Sequence, residues 1–469
     1  MATRVTGTAA EIFDVAVIGA GVVGCAAARR FTLEGARVLL LERAPDILAG
    51  ASKANSALLH TGFDAPVGSL ELACMQRGYR EYLEIRDDLN LPLLETGAMV
   101  VAWTGDDAAR LGDIQVQAIA NGVADTVLLD RAAVLRREPE LAPDLAAGLL
   151  VPGEHVIDAW SAPLAYLTQA VANGATAMFG AEVTSGVFDG ASWRIETPRG
   201  VVTARFVVNC AGLFGDRLDA ALLGAAAFSI RPRKGQFVVF DKAAASLLTS
   251  IILPVPNEIT KGVVLARTAY GNLLVGPTAE DQDDRVRATV DHDTLEALIV
   301  TATRLLPALA GMPVTATYAG LRPATEAKHY RVLHRPERRW LTLGGIRSTG
   351  LTAALGLATH AVELWQDGGG TLAPLNDPLV TPVPNIAEHR PRDWERPGYG
   401  EIVCHCEMVT RREIEAALAG PLPAGDVGGL KRRTRAGMGR CQGFYCNARL
   451  AALTAGRFAA PLAVGAAGG

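Results

Sequence analysis

Apolar residues along the chain alternate between runs with strand character and stretches with helical periodicity. Phe13-Asp-Val-Ala-Val-Ile18 is a short apolar run rich in β-branched residues, the pattern of a buried strand. A glycine turn follows, residues 22–34 have helical spacing, and Arg37-Val-Leu-Leu-Leu-Glu42 reads as a second strand, so a βαβ unit is predicted. Helical spacing recurs over 72–89 and 295–306, and strand patterns over 98–103, 206–209, 236–241, 273–275 and 340–343. There is no internal repeat. Six prolines between 371 and 400 predict a semi-rigid spacer and a domain boundary. Residues 401–455 read as a compact unit, with a helix over 410–418, while 1–12 and the Ala/Gly-rich tail from 459 carry no structural signal.

Composition changes this picture little. The chain has 469 residues, enough for two or three domains, with 49% hydrophobic and 20% charged residues, as in a soluble globular protein. A net charge of -4 argues against a nucleic-acid partner and against wholesale attraction to anionic membranes. The apolar run 15–28 is too short and too glycine-broken to span a bilayer, and Arg29 and Arg30 stand where a signal-peptide cleavage site needs small residues. The expectation is a cytoplasmic protein with no integral membrane segment, peripheral association at the inner membrane being left open. Of seven cysteines, Cys25, Cys74 and Cys210 are scattered and four crowd the C-terminal end, which in a cytosolic chain points to a metal site rather than a disulfide framework.

Gly19-Ala-Gly21-Val22-Val23-Gly24 lies between the first strand and the first helix, and Glu42 closes the second strand 18 residues after Gly24. Gly19 permits the turn, Gly21 lets the backbone approach a pyrophosphate, and Gly24 lets helix and strand pack closely. The helix N-terminus offers free N–H groups to phosphate, and Glu42 can accept from a ribose diol. This fingerprint alone does not separate FAD from NAD. FAD is favoured by the small polar loop Ala49-Gly-Ala-Ser52-Lys-Ala-Asn55-Ser56 and by Phe206-Val-Val-Asn209-Cys-Ala211-Gly212, a strand ending in small residues that can cover a nucleotide.

With Ala54-Asn-Ser-Ala-Leu-Leu-His60-Thr-Gly-Phe-Asp64, Gly271-Asn-Leu-Leu-Val-Gly-Pro-Thr278, Gly320-Leu-Arg322-Pro and Gly345-Ile-Arg347-Ser-Thr-Gly350-Leu-Thr352, residues 13 to about 368 resemble the FAD-dependent oxidoreductases of the D-amino-acid oxidase superfamily. Within it they are most similar to the glycerol-3-phosphate dehydrogenase/oxidase and L-2-hydroxyglutarate oxidase branch. The resemblance implies an α/β fold (α+β overall): a Rossmann-like FAD-binding domain from 13–90, 150–225 and 325–370, an inserted antiparallel-sheet substrate domain from 91–149 and 226–324, the 371–400 linker, and a small helical C-terminal [2Fe–2S] domain at 401–455. It implies FAD contacts from the fingerprint residues with Arg43, Ser52, Asn55, Ser56, Val183, Ala211, Gly212, Gly345, Arg347, Ser348, Gly350, Leu351 and Thr352. It also implies that His60 takes the substrate hydroxyl proton, that Lys261 faces the substrate, and that Arg322 holds an anionic group. Those roles suit the residue types: an imidazole titrates near neutral pH, and a guanidinium fork matches carboxylate or phosphate. His155 and Asp158 read as structural, and Trp160 and Trp193 as core.

Cys404-His-Cys406 and Cys441-Gln-Gly-Phe-Tyr-Cys446 are separated by 34 residues. Four thiolates in two pairs match a [2Fe–2S] cluster, each pair able to serve its own iron. A zinc site also takes four cysteines, but the C-x-C pair is tight for it. Gly437, Gly439 and Gly443 free backbone N–H groups to point at sulfur, and the basic run 431–435 with Arg440 offsets cluster charge or docks an acidic carrier. The segment resembles the bacterioferritin-associated-ferredoxin-like [2Fe–2S] domain. The function expected is oxidation of a small anionic hydroxy compound, glycerol 3-phosphate or a related polyol phosphate first, with electrons leaving through the cluster to a quinone or carrier protein. A 2-hydroxy acid or an amino acid/opine as substrate, and an electron-transfer subunit of a larger complex, are the alternatives.

Overall fold

A computed structural model describes residues 12–256 and 262–462. The first strand, β1 (Ile12–Ile18), runs parallel to β2 (Val38–Glu42) through helix α1 (Val22–Leu33). The β-branched, alternately packed residues of β1 pair on the other side with Gly200–Asn209, again in parallel. Thr176–Phe179 extends this sheet beyond β2, Trp340–Gly344 pairs in parallel with the end of Gly200–Asn209, and three antiparallel strands complete eight. Helices cover it: α1, Ser161–Ala172 and Gly350–Asp367 share one apolar core with its strands.

The second sheet has nine strands and is almost wholly antiparallel; its longest members, Ile230–Phe240 and Val314–Thr325, lie side by side. Ile251–Pro254 beside Ala98–Ala102 is its parallel exception. One face of this sheet is buried under His292–Leu305, and from the other Val100, Phe237, Val264 and Arg322 line the space that the turn after β1 also borders. A third, three-stranded sheet sits between the two, with Leu58–Leu59 and Leu93–Glu95 flanking His155–Ile157.

Close backbone approach accounts for several glycines. A Cβ on Gly24 would lie 1.8 Å from the Gly19 carbonyl oxygen, and one on Gly356 would lie 2.1 Å from that of Cys74, where the helix Gly350–Asp367 crosses Leu70–Ile85.

Residues 371–400 contain no strand or α-helix, yet they do not hang free as a spacer would. They form a strap over the body. The N–H of Leu375 donates to Leu33, that of Val383 to Leu89 and that of Glu388 to Ala269, at 2.9, 3.1 and 2.9 Å, and Val383, Ile386 and Ala387 are buried. Proline rigidity makes such a strap inexpensive in entropy, and apolar side chains between the prolines fix it in place. The strap leads to a small unit of short helices, Arg411–Ala419, Val427–Thr434 and Asn447–Leu453, with its own apolar core. Among the described residues no helix is long and apolar enough to cross a membrane.

Candidate functional site: a nucleotide cavity and a cysteine centre

One cavity of about 1120 Å³ lies between the two large sheets. Gly19, Gly21, Glu42 and Arg43 form one end, Ser52, Asn55, Ser56, Ala211 and Gly212 line its length, and His60, Arg322 and Arg347 reach it from the far side. Gly345, Ser348, Gly350, Leu351, Val22 and Val23 also line it. Gly24 does not; it is set into α1. Val183 packs against the sheet core while its neighbour Glu182 reaches the cavity. Thr352 stands behind the wall, its Oγ1 accepting from the His60 N–H at 3.0 Å. Lys261 lies outside the described residues.

The residues fit FAD. Gly21 caps α1 without a side-chain hydrogen bond, the first turn carries no acid, and so the positive end of the helix faces the cavity. The helix Gly350–Asp367 also begins at the cavity with no side-chain cap. Ser52 Oγ accepts from the Val22 N–H at 3.1 Å, holding the small polar loop against the glycine turn. Glu42 accepts from the N–H groups of Ala20 and Ala44 at 2.7 and 2.9 Å, which fixes the turn and leaves each carboxylate oxygen a further lone pair for a ribose hydroxyl. The Arg43 guanidinium lies 3.9 Å from the Phe214 ring at the same end.

The far end is cationic. Arg322, on Val314–Thr325 opposite Arg233, donates to the Thr278 carbonyl at 3.2 Å, and room for it exists because position 235 is glycine: a Cβ there would lie 2.7 Å from its Nη2. Burial, then the Arg233 and Arg347 charges, push Arg322 down to about 10, so it remains a cation at neutral pH. Arg233 is neutralised by Asp281 at 2.7 Å; among the described residues Arg322 and Arg347 have no carboxylate partner. Arg347 Nε is buried with no hydrogen-bond partner among the described residues. Two such guanidiniums side by side call for an anion.

His60 is held from behind. Its Nδ1 lies 2.7 Å from Oε2 of Glu154, a fully buried acid that sequence reading passed over in favour of its neighbour His155. His155 itself sits in the small sheet, and Asp158 is bound by the N–H groups of Trp160 and Ser161 and by the Tyr270 hydroxyl. Trp193 is core, in contact with Trp340, whereas Trp160 is partly exposed and stacks on Tyr270 at 4.9 Å.

In the C-terminal unit the two cysteine segments come together, so that the charges of Cys441 and Cys404 act on Cys406 and those of Cys404 and Cys441 act on Cys446. Cys441 is held below the ordinary thiol range, chiefly by the N–H of Tyr445, with those of Gly443 and Phe444 adding to it. A Cβ on Gly439 would lie 2.3 Å from that of Cys406, so glycine lets the two segments close. A mononuclear tetrahedral zinc site would bring all four sulfurs within about 4 Å of one another. Among the described residues the three-ligand groupings with all donors within 4.8 Å amount to the exposed His292, Asp293 and Glu296, and the cysteines are not among them. Four cysteines in one small unit but outside that spacing suit a binuclear cluster better.

Most of the basic run is turned inward. Arg433 and Arg435 are buried, paired with Asp46 and Glu407, and Arg432 donates to the Ile47 carbonyl. Only the side chain of Arg440 is largely exposed, and it reaches Asp241 at 2.8 Å.

A doubly layered nucleotide cavity joined to a four-cysteine unit defines a flavoprotein oxidoreductase with an iron–sulfur centre. The chain belongs to the FAD dependent oxidoreductase (DAO) family, whose profile matches residues 14–364, and a BFD-like [2Fe-2S] binding domain matches residues 402–455. It is 30% identical over 447 residues to glycerol 3-phosphate dehydrogenase of Caloramator mitchellensis, covering 94% of this chain and 93% of that one. It is also 30% identical to glycerol 3-phosphate oxidase of Mycoplasma pneumoniae, over 76% of this chain and 94% of the relative. The solved structure of dithionite-reduced L-alpha-glycerophosphate oxidase from M. pneumoniae, with FAD bound, superposes with a TM-score of 0.73 at 27% identity, covering 79% of this chain and 98% of that one. The protein is an FAD-dependent oxidoreductase that carries a [2Fe–2S] domain.

Proposed function

We propose that the protein is a dehydrogenase of glycerol 3-phosphate or a closely related polyol phosphate, with its FAD unit built from 13–90, 150–225 and 325–370 and its substrate unit from 91–149 and 226–324. The observation that carries this reading is the pairing, in one cavity, of a carboxylate-backed imidazole with two guanidiniums that have no carboxylate partner among the described residues. Arg322 and Arg347 hold the substrate phosphate by charge-assisted, forked hydrogen bonds. His60 receives the proton of the secondary hydroxyl as the carbon is oxidised to a ketone. The bound FAD supplies the hydride acceptor, and the cluster supplies a one-electron carrier toward a quinone or a carrier protein. The likeness to glycerol 3-phosphate dehydrogenase over nearly the whole chain supports the same substrate.

The test is anaerobic bleaching of the purified flavoprotein with a panel of polyol phosphates, 2-hydroxy acids and amino acids. Bleaching by glycerol 3-phosphate at the lowest concentration is expected. Bleaching by a 2-hydroxy dicarboxylate alone would move the assignment to that class, and bleaching by amino acids alone would end the alcohol reading. A flavin that no member of the panel reduces would mark an electron-transfer subunit instead.

A further inference from the structure

We propose that Glu154 is a positioning residue that fixes the tautomer of His60. The sheet register creates the pair. Leu59 lies opposite His155 in the antiparallel pairing of Leu58–Leu59 with His155–Ile157, so the next rung sets His60 against Glu154 across 94 residues of chain. Glu154 has no exposure, and its two oxygens are divided between partners. Oε1 accepts from both the N–H and the hydroxyl of Thr61, at 2.6 and 2.7 Å, while Oε2 faces His60 Nδ1 at 2.7 Å. An acid whose lone pairs already receive two donors on one side accepts on the other, so Nδ1 carries the hydrogen. In the neutral ring the lone pair is then on Nε2, the nitrogen away from Glu154 on a residue that lines the cavity. The carboxylate also stabilises the imidazolium that forms once Nε2 has taken a proton.

The arrangement makes an unusual demand of the amide variant. In Glu154→Gln the Thr61 donors hold the carbonyl oxygen, so the amide NH₂ is turned to Nδ1. His60 is forced to accept there and to carry its hydrogen on Nε2, the wrong nitrogen for a base. Glu154→Ala imposes no tautomer. The nearly isosteric glutamine is therefore the more damaging substitution, the reverse of what a packing role would give.

This rests on His60 as the proton acceptor, and the experiment separates the two ideas. Full-length holoprotein labelled with ¹⁵N-histidine is examined by NMR, with His60→Gln identifying the ring's signals, and flavin reduction is followed by anaerobic stopped flow with glycerol 3-phosphate or whichever compound of the panel bleaches the wild type. The expected results are an Nδ1–H ring in the wild type and an Nε2–H ring in Glu154→Gln. Reduction should be slower by about a hundredfold or more in Glu154→Gln, and less impaired in Glu154→Ala. An Nε2–H ring in the wild type, or a Glu154→Gln enzyme as fast as Glu154→Ala, would overturn the assignment. Should Glu154→Ala fail to fold, the wild-type and Glu154→Gln tautomers decide it alone. A His60→Gln enzyme that bleaches at the wild-type rate removes His60 from the reaction, and the tautomer measurement still reports on Glu154.

Discussion

Asp46 and Arg433, 387 residues apart in sequence, meet in a buried pair of hydrogen bonds at 2.7 and 2.8 Å. Asp46 follows β2 and the cavity residue Arg43, and Arg433 ends the helix Val427–Thr434 of the cysteine unit. The Gly425 N–H adds a third bond to Asp46, at 3.0 Å. Side chains at 425 or 429 would collide with this loop: a Cβ on Gly429 would lie 1.6 Å from Asp46 Oδ2. The cluster unit is thus clamped to the edge of the nucleotide cavity rather than tethered beside it.

Replacing Arg433 by alanine leaves a buried carboxylate without its cation, an uncompensated charge that typically costs about 3–5 kcal/mol. The expected outcome is release of the C-terminal unit, read as faster proteolytic cleavage within 371–400. The double variant Asp46→Leu/Arg433→Leu should resist cleavage better than Arg433→Ala, since it buries no lone charge.

Gly24→Ala places a methyl group 1.8 Å from the Gly19 carbonyl oxygen and must push α1 away from the turn. Purified Gly24→Ala protein should contain little flavin per chain by absorbance. Gly105→Ala, where a Cβ meets open space, should retain its full complement.

Cys441 and Cys446 are two of the four cysteines of the [2Fe–2S] domain. Serine at either position should strip iron and acid-labile sulfide together while flavin content is unchanged. Wild-type protein holding zinc in place of equal amounts of iron and sulfide would refute the binuclear assignment.

Arg322→Lys keeps the charge and loses the fork. Two forked, charge-assisted bonds reduced to one point contact weaken binding by about 1.5–3 kcal/mol. The half-saturating substrate concentration for flavin reduction should rise roughly ten- to a hundredfold by that measure, with the flavin spectrum of the resting protein unchanged.

Asp216 and Arg285 pair at the cavity rim through two bonds, the Arg285 Nη2 to Asp216 Oδ2 distance being 2.8 Å. Burial alone would raise the acid, but the hydrogen bond from Arg285, the Ile230 N–H and the Arg285 charge outweigh it, and Asp216 lies below the ordinary carboxylate value of 3.8. A carboxylate depressed in the folded state contributes stability that is present above the unfolded value and is lost as pH falls through the folded one. Arg285→Ala should therefore destabilise the protein more at pH 7 than at a pH below the folded value, as read from urea midpoints at the two pH values.

Much of the cofactor apparatus was readable in the sequence because its constraints are local. A β-branched run predicted β1, glycine spacing predicted a turn that no side chain can enter, and two tight cysteine pairs predicted a sulfur-ligated centre. Each needs only a few consecutive residues and the sterics of the backbone. The resemblance also directed attention to His60 and Arg322, which the structure brings to one cavity.

Other features depend on which distant residues the fold brings together. Glu154 gives no sign of its role in its own neighbourhood; a two-residue strand pairing turns it toward His60. The basic run read as a counter-charge to the cluster or a surface for an acidic carrier, yet Arg433 and Arg435 are internal struts, because Asp46 and Glu407 arrive from elsewhere in the chain. The prolines of 371–400 read as a spacer, and buried apolar side chains between them make a strap. Spacing along a chain specifies what a backbone segment can become; the partner of a buried charge is chosen only when the whole fold closes and water is removed from around it.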